Sequence, residues 1–185
     1  MTAIFKSVEQ ALHFSFLMET LPAAQKSQMQ VLFDLWLERN GYREVREPST
    51  INFGGLSALE IRGQCSMVRG AVLHHLVGPE MSVVHARYGY GFEKGVGIKG
   101  VRKYCEPMMS TKYEWPTLAM AINVFGSAKQ SAEFSIRMIA KEWGLSKSTV
   151  ARDVGIIRST SRLLENRAYD RLRPIFEKSE LIGDE

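Results

Sequence analysis

Lys147, Ser148, Thr149 and Arg152 stand within one short stretch, and the chemistry that this set offers is recognition of a nucleic acid. Arginine presents a planar fork that can grip guanine with two hydrogen bonds, serine and threonine hydroxyls donate or accept at base edges, and lysine supplies a point charge for phosphate. Such groups read DNA only if something holds them side by side, and the surrounding residues supply that support. From Ile139 to Val154 the chain reads as a helix-turn-helix. Ala140 sits where two helices approach closely, Gly144 falls four residues later in a tight turn that tolerates little side chain, and Val150 and Val154 recur at i, i+4 to seat the second helix on the first. Ser146 is placed to cap that second helix. The outward face is left with Ser148, Thr149 and Arg152 for base edges and Lys147 at its amino end, while Arg137, Lys141 and Arg158 are the candidates for phosphate. The competing reading is a helical hairpin used only for packing.

Charge placement favours the DNA reading. Between 135 and 178 there are ten basic residues, among them Arg162, Arg167, Arg171 and Arg173, against five acids, in a chain whose total is only +4. Positive charge is thus concentrated on the reading segment, where it would draw a phosphate backbone and make affinity fall with salt. A second, looser helix-turn-helix is expected from Pro79–Tyr88 and Ile98–Cys105, whose second helix would show Lys99, Arg102 and Lys103. A solvated surface helix explains those three equally well.

Catalytic sets are not recognisable. His13, His74, His75 and His85 form no metal-ligand spacing, Ser66 and Ser110 lack the setting of a nucleophile, and the carboxylates are scattered. The glycines at 89, 91, 95, 97 and 100 mark the most flexible stretch but lack the ending of a phosphate-binding loop. The chain is therefore read as no enzyme, with no metal and no cofactor. Cys65 and Cys105 lie far apart without a second pair, which suits free, buried thiols in a cytoplasmic protein. The longest apolar runs fall well short of the roughly 20 residues of a membrane span, so no membrane partner is expected.

With 45% hydrophobic and 10% aromatic residues the chain can bury a core, and its periodicity is helical almost throughout. Helices are expected over 7–20, with Val8, Leu12, Phe16, Leu17 and Leu21 on one stripe, and over 24–39, with Met29, Leu32, Phe33, Trp36 and Leu37. A loop from Tyr42 to Leu56 leads to the capping box Ser57-Ala-Leu-Glu60, which opens a helix turning Leu59, Met67, Val68 and Val72 inward until Gly78-Pro79. A helix from Trp115-Pro116 to Phe125-Gly126 would support the helix at 136–143 and the reader at 147–158. Beyond the reader, Leu163, Leu164, Tyr169, Leu172, Ile175 and Phe176 extend an amphipathic pattern, better suited to burial than to self-association on DNA. The expectation is an all-α protein with a helical domain at 1–111 and a carboxy-terminal helix-turn-helix domain with trailing basic helices at 112–185.

Four stretches carry a family likeness: Ala11-Leu-His-Phe-Ser-Phe-Leu-Met-Glu-Thr-Leu-Pro22, Ser49-Thr-Ile-Asn-Phe-Gly-Gly-Leu-Ser57, Val84-His-Ala-Arg-Tyr-Gly89 and the helix-turn-helix at 139–154. Together they resemble the small phage-derived transcription antiterminators of the Q type, over nearly the whole chain. One Q subclass carries a zinc-binding cysteine cluster, and this sequence lacks it. The resemblance implies a factor that binds double-stranded DNA near a promoter and loads onto RNA polymerase paused there with its sigma factor still attached. It then sits at the RNA exit channel and promotes read-through of terminators. The near-neutral, aromatic-rich part before the reader would face polymerase. A conventional repressor or activator acting on initiation would use the same reader, and so would a DNA-binding structural subunit.

Overall fold

The computed structural model of the chain describes residues 4–20 and 55–183, and the helix expected at 24–39 lies outside them with most of the loop that follows. Among the described residues the protein is all-helical, without a strand; one isolated parallel bridge pairs Phe5 with Ile182, where the Phe5 N–H donates to the Leu181 carbonyl at 2.8 Å. The described helices are α1 (Val8–Thr20), α2 (Ala58–His75), α3 (Gly78–Tyr88), α4 (Gly91–Cys105), α5 (Glu114–Phe125), α6 (Ala128–Glu133), α7 (Ile136–Glu142) and α8 (Lys147–Lys178). They fall into two compact units. One gathers the described residues of 1–75 and 171–185, the other residues 76–170, and α8 runs from the second into the first.

In the first unit α1 buries more than the single stripe its spacing suggests: Ala11, Phe14, Ser15 and Met18 are buried along with Val8, Leu12 and Phe16. The capping box forms as read, with the Ser57 N–H donating to Glu60 Oε2 at 2.7 Å and the Glu60 N–H donating to Ser57 Oγ at 3.3 Å. The inward face of α2 differs from expectation. Ile61, Cys65, Val68 and Val72 are buried at the i, i+4, i+7, i+11 spacing of one stripe, whereas Leu59 is 80% and Met67 50% exposed. Leu59 and Met67 lie on the other side of the helix, so the core takes the smaller Cys65. Arg69 pairs with Glu19 across α1 and α2 at 2.6 Å.

The second unit is where the glycine stretch lies, and it is helical rather than flexible. A β-carbon on Gly97 would stand 2.7 Å from the His85 carbonyl carbon, and one on Gly100 would meet the Ser82 side chain. These two glycines are there because α3 and α4 cross with their backbones almost touching, joined by Gly89 and Tyr90 alone. The core then runs from Val83 and Ala86 through Ile98, Val101 and Cys105 to Met120, Phe125, Ile139, Val150, Val154 and Ile157. Burying each of its valine, isoleucine, methionine and phenylalanine side chains contributes about 1.5–3 kcal/mol. On α5 Thr117, Met120 and Ala121 are fully buried, with Leu118 and Ile122 only partly covered. The short α6, which the sequence reading passes over, is opened by a capping box: the Gln130 N–H donates to Ser127 Oγ at 3.3 Å and the Ser127 N–H to Gln130 Oε1 at 2.9 Å.

The helix expected at 147–158 and the helices expected to trail it are one continuous α8. Its buried stripe of Val150, Val154, Ile157, Ser161, Leu164, Ala168, Leu172 and Phe176 continues without a break. At 1.5 Å per residue these 32 residues span about 48 Å. Pro174 removes one helical N–H near the carboxy end without ending the helix. The line drawn between 111 and 112 passes through the second unit, where Asp153 of α8 accepts from the N–H groups of Ser110 and Thr111, each at 2.9 Å.

Candidate nucleic-acid interface

The turn between α7 and α8 is built by backbone bonds and one glycine. The Trp143 N–H donates to the Ile139 carbonyl at 3.2 Å and the Leu145 N–H to the Ala140 carbonyl at 3.0 Å. Gly144 has φ of +62°, the left-handed region that a side chain makes costly, yet nothing lies within 4 Å of where its β-carbon would be. The turn therefore needs glycine for its backbone angle and not for space, which corrects the reading from spacing. Ile139 and Ala140 are buried against Val150, Val154 and Ile157 of α8 in one core cluster, as the i, i+4 pattern requires.

Ser146 caps α8 as expected: its Oγ accepts from the Thr149 N–H at 3.1 Å. It also shares hydrogen bonds with Ser148 Oγ at 2.9 Å and Thr149 Oγ1 at 2.8 Å. Two of the three side chains assigned to base edges are thus held to the cap, and Arg152 is the one that reaches out unsupported. Lys147, Ser148, Arg152 and Arg158 are exposed and Thr149 is half-buried; Arg137 and Lys141 are exposed on α7. Among the described residues, no acid pairs with Arg137, Lys141, Lys147, Arg152 or Arg158. The acid nearest in sequence to Arg152, Asp153, is fully buried and turned to the backbone at 110–111, and it makes no ion pair with the exposed arginines among the described residues. The charge tally over 135–178 includes Asp153 among its five acids without placing it; its position between Val150 and Val154 on the core stripe is the signal that could have shown its burial.

The second basic set divides. Lys99 and Lys103 are exposed. Arg102 has only 13% of its side chain exposed and is spent inside the unit: Nη1 donates to Thr117 Oγ1 at 3.3 Å and lies 3.6 Å from Glu106, and Nη2 lies 3.8 Å from Glu114. It joins α4 to the start of α5. Lys94 is half-buried, and burial, with the Arg87 charge adding to it, holds its ammonium below the usual lysine range. Arg87 is likewise structural, with Nη2 2.8 Å from Glu165 of α8 and its guanidinium 5.4 Å over the Phe125 ring. The Tyr88 and Tyr169 hydroxyls bond to each other beside that pair.

Both cysteines are free and buried, and burial pushes each thiol up to about 11, so neither is ionised near neutral pH. No group of three His, Cys, Asp or Glu side chains able to hold a metal occurs among the described residues, and no helix among them is long and apolar enough to cross a membrane. Compared with known protein families and with curated proteins, the chain matches none.

Proposed function

We propose that this protein is a DNA-binding transcription factor of the antitermination type, with α7, its turn and α8 forming a helix-turn-helix. The observation that carries the DNA-binding step is the outward face at the start of α8, where Arg152, Lys147 and Arg158 stand exposed and, among the described residues, without acid partners, while the opposite face is packed. A helix fixed on one side and charged on the other is what insertion into a major groove requires. Arg152 serves base recognition, with Ser148 and Thr149 beside it, and Arg137, Lys141, Lys147 and Arg158 serve the phosphates. The loading onto paused RNA polymerase with its sigma factor, and the read-through that follows, rest on the resemblance to the Q-type factors.

The test is transcription in vitro with purified polymerase holoenzyme on a template carrying the protein's own binding element and a terminator downstream. Increased read-through that disappears when the element is deleted supports antitermination. A change in initiation with unaltered read-through makes the protein a conventional repressor or activator. Read-through that rises equally on any template overturns the loading step.

A further inference from the structure

Glycine inside a helix is less stable than alanine, because its backbone gives up more freedom on folding. An interior glycine therefore calls for a reason, and at Gly97 and Gly100 the crossing of α3 and α4 supplies one. Gly63, Gly70 and Gly95 have open space around them, and at Gly155 the fold likewise supplies no reason; what sets Gly155 apart is its surroundings. It lies a little over two turns into α8, is exposed, has no left-handed backbone angle, and a β-carbon there would meet nothing within 4 Å. By helical period it shares a face with Ser148, Arg152 and Ser159, all exposed, and Arg158 and Arg162 stand exposed beside it. The acids of this stretch are turned away, since Asp153 and Glu165 are both buried. What approaches the gap at Gly155 meets bare backbone ringed by arginines, an arrangement complementary to a phosphate backbone and to few protein surfaces.

Resting on the DNA-binding reading above, we propose that Gly155 is the point of closest approach between α8 and double-stranded DNA. The missing side chain lets the helix backbone seat against the wall of the groove. Arg152, one turn earlier, reaches the base edges from that depth, and Arg158 and Arg162 meet phosphates to the side. Gly155 thus sets how deeply the helix sits, a positioning role that a merely surface-exposed glycine does not have.

The experiment compares the full chain with Gly155→Ala, Gly155→Leu and the control Gly63→Ala, an exposed glycine of α2 that also has open space around it. Each is titrated at low salt with a fluorescent 30-base-pair duplex of mixed sequence and with a duplex enriched from a random library, and each is melted. Gly155→Ala is expected to melt a few degrees higher while binding about tenfold more weakly, with Gly155→Leu weaker again. Gly63→Ala should melt higher with unchanged affinity. Unchanged binding by Gly155→Ala overturns the proposal, and so does a lowered melting temperature, which makes the glycine structural. Equal loss of affinity in Gly63→Ala overturns it as well. A wild-type chain that melts cooperatively but binds neither duplex overturns the DNA-binding reading itself.

Discussion

Arg152 and Arg158 are both exposed on α8, yet their positions ask different things of them. Arg152 lies in the second turn, where a reading helix meets base edges, so Arg152→Ala should cost about 1–3 kcal/mol on the preferred duplex and much less on a scrambled one. Arg158, a turn and a half further on, should weaken both duplexes alike and flatten the salt dependence. Titrations at two salt concentrations separate these outcomes, and equal losses for Arg152→Ala would make it a phosphate anchor. Asp153, between them in sequence, serves the fold. Removing its carboxylate strands the N–H groups of Ser110 and Thr111, of which Thr111 is buried, so Asp153→Ala should lower unfolding stability by about 1–3 kcal/mol or more. Asp153→Asn, which keeps one acceptor oxygen, should lose less in the same urea titration. The cysteines give a pH signature. Each folded thiol titrates at about 11 against an ordinary 9.0, so between those values the folded chain keeps protons that the unfolded chain releases. Their contribution is complete below pH 9.0 and is lost as pH rises toward about 11. Relative to Cys65→Ala, the wild type should therefore lose stability across that window, and Ellman's reagent should label neither thiol below it until urea is added.

At the scale of the element, local signals transfer well to structure when they are self-contained. The Ser57–Glu60 capping box, the Ser146 cap and the Val150–Val154 stripe each involve residues within one or two turns, and each forms as the sequence reads. What spacing alone leaves open is which neighbour fills the other side. The five glycines from 89 to 100 read as the most flexible stretch because nothing in the string shows α3 lying across α4; two of them, Gly97 and Gly100, are what lets α4 cross so closely. Leu59 and Met67 read as core because they are large, while the partner surface selects the stripe through Ile61 and Cys65. Arg102 reads as a DNA contact because Glu114 and Thr117 are brought to it only by the turn after α4, although Glu106, at i, i+4, is a partner that the spacing itself offers. The α3–α4 crossing can be tested without any ligand. Gly97→Ala forces α3 and α4 apart and should destabilise by about 1–3 kcal/mol, the range for overpacking. In Gly95→Ala the added methyl finds open space, so the gain in helix propensity should leave stability unchanged or higher. Thermal melts of the two variants decide it, and equal behaviour would mean that the crossing can relax.

At the scale of the whole molecule, the chain order hides how the cores are shared. Reading along the sequence suggests that a carboxy-terminal domain begins near 112, since the supporting helix α5 starts there. Yet the core of the second unit draws Val83, Ala86, Ile98 and Val101 from before that line together with Met120, Val150 and Ile157 from after it. The links that close it are equally long-range: Asp153 to Ser110 and Thr111, and Arg87 to Glu165. None of these pairs has a local signature, because contact between distant residues is decided by the packing of several helices at once. The consequence concerns truncation. A fragment of residues 112–178 contains the whole reading segment but leaves Ile139, Val150 and Val154 without the α3 and α4 side of their core, and it strips Asp153 of both donors. It should expose apolar surface and fail to melt cooperatively. A fragment of residues 76–170 keeps every one of those contacts and should fold on its own, retaining DNA affinity while losing terminator read-through if the remaining chain is what meets polymerase. Circular dichroism melts and duplex titrations of the two fragments distinguish the alternatives. Cooperative folding of 112–178 would show that the reader is independent of the helices before it, and read-through by 76–170 alone would place the polymerase contact inside the same unit as the DNA contact.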